Sequence, residues 1–324
     1  MEPRDSSKHK PIDFNLRTKK IISLEWNAGG NHLAFYSTDN DIKVWNYEDI
    51  DISRGYDLKG HSKRVGQISW KPEDDNILAS VGHDCTLKLW DLRSDSVKGG
   101  GALKSIHNEK TKNPNYVLNW NPSGEIIAVG NDKEQVDIYD LRTWKIIQNL
   151  DFQEKKCELN QIEWDRTGNM LFIPNTTGTV YVLDGKNPEL DAMEEINAHF
   201  GTVFCIRISH NNELLATGSA DSHLCVWDID ELACLRSVTK KDSIIDQVSF
   251  SQDDKYIAAS CRDEVRKESN IDIYNTNTGE RECCLAFAAK KFTVAWHPKV
   301  NVLAFGGEGE KEGCISLLPF NEKV

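Results

Sequence analysis

The 324-residue sequence lacks any apolar run of about 18 residues, so no helical membrane span is expected. Its opening residues, MEPRDSSKHKPIDF, hold no apolar stretch of the kind a secretory signal needs, and none is expected. Nine cysteines are present, yet none forms a C-x-x-C pair, and most fall within or beside strand-like runs. Reduced, mostly buried thiols in an intracellular protein are the expectation; a disulfide or metal framework needs other spacings. The nine histidines are likewise scattered without metal-ligand spacing. Gly99-Gly100-Gly101 and Gly306-Gly307-Glu308-Gly309 match neither a dinucleotide fingerprint nor a P-loop. No cofactor, metal or small-molecule substrate is therefore expected. Positive charge is in deficit: 39 Lys and Arg against 51 Asp and Glu leave a net charge of −12, which repels a phosphate backbone. Helical periodicity is missing too, since no stretch of about 12 residues carries a convincing apolar stripe.

What the chain does contain is a repeat. Strand-like runs end at Trp26, Trp70, Trp120, Trp164, Ile208, Phe250 and Trp296. A second set of landmarks follows each: Trp45, Trp90, Tyr139, Leu183, Trp227, Tyr274 and Leu318. The second unit is the clearest. Val65 to Trp70 alternates, Lys71 to Asp75 is a turn cluster, Ile77 to Val81 is apolar, Gly82-His83-Asp84 turns, and Thr86 to Trp90 is strand-like again. Seven units at roughly 42 residues each occupy nearly the whole length and leave no room for a second domain. The pattern resembles WD40 repeats, which implies an all-β, seven-bladed WD40 β-propeller. Residues 1–13 read as a flexible N-terminal tail, 14–320 as the propeller and 321–324 as a C-terminal tail. No fourth strand follows Leu318, whereas Phe14 to Arg17 precede the first unit as Tyr56 to Lys59 precede the second. An N-terminal strand is thus expected to complete the last blade and leave no blade edge open.

Two units carry a spaced polar set: His61, Ser80, Asp84 and Trp90 in one, His199, Thr217, Asp221 and Trp227 in the other. This resembles the structural tetrad of WD40 repeats. The resemblance implies that the Asp accepts from the His and that the hydroxyl links the His to the indole N–H. The rival is a Ser-His-Asp catalytic triad, but no G-x-S-x-G elbow accompanies it. An enzyme is not expected. Residues just before the turn Asp lie on the loop face of such repeats, so His83, Asn131, Ala220 and Arg262 form a candidate partner-binding rim. Trp90-Asp91-Leu92-Arg93 has the W-D-x-R form that, in some WD40 proteins, docks on a cullin-RING ligase adaptor; Arg93 would then serve a substrate receptor. Residues 93–115 read as one long polar connection, and its Lys104, Lys110 and Lys112 would serve a direct RNA binder. Lys8 to Lys20 hold a weak nuclear-import pattern.

A narrower likeness rests on Ile196-Asn197-Ala198-His199, Leu215 to Asp221, Val226 to Leu232, Ile127 to Asn131 and Phe292 to Lys299. These stretches resemble the THO complex subunit 3 family, over about residues 14 to 320. The resemblance implies a nuclear, non-catalytic subunit of the THO/TREX assembly, which couples transcription to messenger RNA packaging and export. It implies the large helical THO subunits as partners, with RNA reached only through the complex. Ser37 to Asp41 and the segment after Arg93 depart from the family pattern, so no docking residue is carried over onto them.

Overall fold

The computed structural model describes residues 11–15, 19–47, 55–94, 103–153, 158–185, 192–263, 265, 268–287, 292–308 and 313–320. Among these the chain forms seven four-stranded antiparallel sheets and no helix long enough to cross a membrane. The fold class is a seven-bladed β-propeller. The first sheet runs through Ile21–Trp26, His32–Ser37, Ile42–Asn46 and Tyr56–Leu58, and the second through Val65–Trp70, Ile77–Gly82, Thr86–Asp91 and His107–Lys110. The third holds Asn115–Trp120, Ile126–Asn131, Gln135–Asp140 and Lys145–Asp151, and the fourth Glu163–Trp164, Met170–Pro174, Thr179–Asp184 and Ala192–Asn197. The fifth holds Val203–Ile208, Leu214–Ser219, His223–Asp228 and Cys234–Thr239, and the sixth Ser243–Phe250, Tyr256–Asp263, Glu268–Asn275 and Arg281–Phe287. The seventh joins Phe292–Trp296, Val302–Glu308 and Gly313–Pro319 to Ile12–Asn15.

Every landmark in the first set is the last residue of a first strand, and every one in the second set is the penultimate residue of a third strand. The N-terminal strand pairs Ile12 with Leu317 and Phe14 with Ile315, and Ser316 donates to Asp13 Oδ1 at 2.6 Å. This pairing begins at Ile12, before the expected boundary at residue 14. The long connection expected over 93–115 is also corrected. Its second half is the outer strand His107–Lys110, paired through Leu89↔His107 and Thr86↔Lys110. Gly99 to Gly101, like Lys8 to Lys10, Arg17, Cys157, Glu264, Gly309 and Lys290-Lys291, lies outside the described residues.

The chain divides into two compact units, Glu25–Val203 and the remainder. Within Glu25–Val203, the penultimate residue of a first strand reaches the next sheet. Glu25 Oε1 accepts from the Trp70 N–H at 3.4 Å, and Asn119 Oδ1 from the Trp164 N–H at 3.1 Å. The indole N–H of Trp120 donates to Ser69 O at 3.0 Å. The other unit repeats the device, with Ser249 Oγ accepting from the Trp296 N–H at 3.0 Å and Gln247 Oε1 from the Val294 N–H at 3.2 Å. These bonds satisfy strand-edge donors that burial would otherwise leave orphaned. Between the sheets lie apolar cores, one around Leu118, Trp120 and Leu87 and another around Trp296, Phe305 and Leu318.

Turn chemistry is equally regular. The residue just ahead of the third strand is left-handed in four sheets (Cys85, Glu134, Gly178 and Ser222), and in the first sheet Asn40, two residues ahead of Ile42, is left-handed too. Of these five residues Gly178 is the one glycine, and a Cβ on it would collide with the His199 carbonyl oxygen. Eight described cysteines are free thiols; Cys205, Cys225 and Cys261 are buried. Burial pushes the Cys205 thiol up to about 12, away from thiolate chemistry.

Candidate functional site

In the second sheet the polar set meets as one network. His61 lies ahead of the first strand, Ser80 on the second strand, Asp84 in the turn and Trp90 on the third strand. His61 Nδ1 is 3.0 Å from Asp84 Oδ1, and His61 Nε2 is 2.7 Å from Ser80 Oγ. The Trp90 indole donates to Ser80 Oγ at 2.8 Å. A proton on His61 Nδ1 satisfies every member: Nδ1–H donates to Asp84, and the Ser80 hydroxyl donates to Nε2 while accepting from Trp90. Asp84 also accepts from the Ser62 N–H at 2.9 Å and the Thr86 hydroxyl at 2.8 Å. Burial raises the Asp84 carboxyl, but the His61 bond and these donors outweigh it and hold the carboxyl well below its usual range. Gly82 permits this approach, because a Cβ there would sit 2.8 Å from both Asp84 Oδ1 and His61 Nδ1.

A catalytic serine needs a reachable oxygen. Ser80 is 0% exposed, and its hydroxyl is held between an imidazole and an indole. The geometry therefore fits a turn clamp better than a nucleophile. In the other unit, the Trp227 indole donates to Thr217 Oγ1 at 3.0 Å, and Asp221 Oδ1 accepts from the His223 N–H at 3.1 Å. His199 is buried within Glu25–Val203.

The four rim residues meet different fates. His83 is half-buried in its turn, with its ring 4.4 Å from Tyr116. Burial, then Arg64, lower its pKa. Asn131 is not at the surface: it is 7% exposed, and its Oδ1 accepts from the Lys133 N–H at 2.9 Å to hold the turn. Ala220 is half-buried in a turn. Arg262 folds onto the buried Asp246, with Nε to Oδ2 at 3.0 Å and an Nη to Oδ1 at 3.3 Å. Arg93 forks onto its own neighbour Asp91 at 2.8 and 2.9 Å, with Asp74 at 3.5 Å, while its side chain stays 55% exposed.

Within Glu25–Val203, one end gathers the loops before the first strands and the turns after the second strands. The same clasp recurs there: the His83 N–H donates to Arg64 O, Asp132 to Pro114 O and Thr176 to Glu158 O. Sequence reading missed two aromatics at this end. Tyr116 is 41% exposed and Phe200 fully so. Neither position carries a composition signal: Tyr116 stands at a register shift between Asn115 and Val117, and Phe200 lies in the loop ahead of Val203. Among the described residues, no group of three or more His, Cys, Asp or Glu is placed to hold a metal.

Comparison with known proteins agrees with this architecture. Residues 53–91 match the WD domain, G-beta repeat family, and residues 100–157 and 118–211 match the anaphase-promoting complex subunit 4 WD40 domain. The crystal structure of the Myceliophteria thermophila Cps50 (Swd1) β-propeller domain superposes with a TM-score of 0.78 at 18% identity, covering 97% of this chain and 100% of that one. Protein TEX1 of Saccharomyces cerevisiae is 22% identical, over 80% of this chain and 62% of its own. THO complex subunit 3 of Arabidopsis thaliana is 33% identical over 95% of both chains. With that identity sustained along nearly the whole of each chain, the protein belongs to the THO complex subunit 3 family.

Proposed function

We propose that the chain is a non-catalytic protein-interaction scaffold subunit of the nuclear THO/TREX assembly. In this reading it couples transcription to packaging and export of messenger RNA by binding the large helical THO subunits and meeting RNA only through them. The observation that carries the reading is the 33% identity to THO complex subunit 3 over 95% of both chains. The geometry supports it. The one Ser-His-Asp constellation described in full is buried and internally satisfied, whereas loops and turns with exposed aromatics stand on a rigid sheet scaffold. The adaptor-docking alternative gains less support, since the Arg93 guanidinium already forks onto Asp91.

The test is affinity purification of the tagged chain from nuclear extract after nuclease treatment, followed by mass spectrometry. Recovery of the large THO subunits in near-equal amounts is the expected outcome and shows that RNA is not the glue. Recovery of a cullin and its adaptor without THO subunits would replace this reading with the ligase one.

A further inference from the structure

Three elements of the second and third sheets converge beside the His61 network, all within Glu25–Val203. The His83 N–H donates to Arg64 O at 2.9 Å, and the Thr111 N–H donates to Cys85 O at 2.9 Å. Asn115 Nδ2 donates to Thr111 Oγ1 at 2.7 Å, bracing the segment that leads into Tyr116. Gly66 brings the strands into near contact: a Cβ there would lie 2.6 Å from Asn115 O and 2.8 Å from Tyr116 Cα. The Tyr36 hydroxyl donates to Gly66 O at 2.5 Å from behind. Tyr116 is therefore held on a braced backbone, edge-on to His83 with 67° between the rings.

Arg64 and Lys63 act on His83 through their charge, and Lys112 follows Thr111, whose N–H is bound to Cys85 O; all three are exposed. Among the described residues none of the three forms an ion pair, whereas Arg93, Arg142 and Arg262 are all paired. Asp132, the exposed carboxylate nearby, faces Lys133 at 4.0 Å. Lys63 and Arg64 thus present uncompensated positive charge beside a half-exposed aromatic in a chain whose net charge is −12.

We infer that Lys63, Arg64, His83, Lys112 and Tyr116 form a docking point for an acidic, partly apolar polypeptide segment of a partner protein. The inference deepens the protein-binding reading above and rests on it. A guanidinium without an internal partner presents a fork that matches a carboxylate, and Tyr116 offers apolar area at little entropic cost. RNA is the poorer match. Three cations neutralise about three phosphates, too few for tight binding at physiological salt, and single-strand platforms stack successive bases on several aromatics. A short acidic segment feels only charges within a Debye length of about 8 Å. A long RNA would run past the cluster onto a net-negative protein.

The test places photoreactive benzoylphenylalanine at position 116 of the full tagged chain, in nuclear extract with RNA intact. The same chain is prepared with Arg64→Glu or with Lys145→Glu, a control on an exposed outer strand. Circular dichroism checks that all three fold. The expected product is a protein crosslink mapping to a segment rich in Asp and Glu, at least tenfold reduced by Arg64→Glu and retained in Lys145→Glu. A crosslink to RNA, a segment without acidic excess, an equal yield with Arg64→Glu, or no product overturns the inference. Co-purified THO subunits are scored separately. Their presence without an acidic crosslink sinks this inference and leaves the THO reading standing; an acidic crosslink without them does the reverse.

Discussion

At the scale of single residues, the His61 network shows how buried polarity is made affordable. Five side chains and one backbone N–H are bonded into a single network. Removing one leaves the others orphaned, so His61→Ala should destabilise the chain by about 1–3 kcal/mol, measured by urea unfolding. An unchanged midpoint would mean that the network is ornamental. The sign of the pH dependence follows from Asp84. Its folded pKa is depressed, so its contribution is complete above the unfolded value of about 3.9 and fades as pH falls through the folded one. In His61→Ala, the loss of stability on acidification below about pH 4 should be shallower than in the wild type. The members of the His61 network could be named because the same residue types recur in the fifth unit at nearly the same spacing. Arg262 was legible only as a position: that its charge is spent on Asp246 depends on a bulge between Ile245 and Gln247 that no spacing reveals.

At the scale of strands and turns, legibility follows apolar content. First strands end on aromatic or bulky residues and third strands carry one at their penultimate position, so both could be located from the sequence. The outer strand His107–Lys110, HNEK, has no β-branched or aromatic residue and alternates between half-buried and exposed, so it read as loop. Left-handed turns at Cys85, Glu134 and Ser222 were hidden for the same reason, since none of them is glycine. The N-terminal strand was readable only by analogy with Tyr56–Leu58, and the structure extends it back to Ile12. Removing residues 1–20 exposes the edge of Gly313–Pro319. The melting temperature should then fall by roughly 5 °C or more, read by differential scanning calorimetry. An intact melting temperature would show that this edge needs no cover.

At the scale of the whole molecule, charge and repeat together select the kind of work the chain does. The −12 balance places a general cost on nucleic-acid contact. The purified chain should therefore show no fluorescence-anisotropy change with a labelled oligouridine of about ten nucleotides at about 0.15 M salt. Saturable binding with a steep salt dependence would restore a direct RNA role for Lys104, Lys110 and Lys112. Repeat period and family were legible because seven copies of one pattern reinforce each other. The proposed docking point was legible only in part. His83 could be named from its place in the repeat, but Tyr116, Arg64 and Phe200 acquire meaning only once loops distant in sequence share one end of the sheets.

The pairing of Ile12–Asn15 with Gly313–Pro319 also sets a schedule for biosynthesis. Asp13 and Ser316 are separated by 303 positions. A ribosome adding about 5–20 residues per second therefore finishes the partner strand roughly 15–60 s after the first strand has emerged. Through that interval the nascent segment has no native neighbour, while the sheets between can form in order behind it. Completion of the last sheet thus waits for Gly313–Pro319 to be made, open until then to holding factors that bind extended chain and sensitive to any bulky tag fused ahead of Ile12.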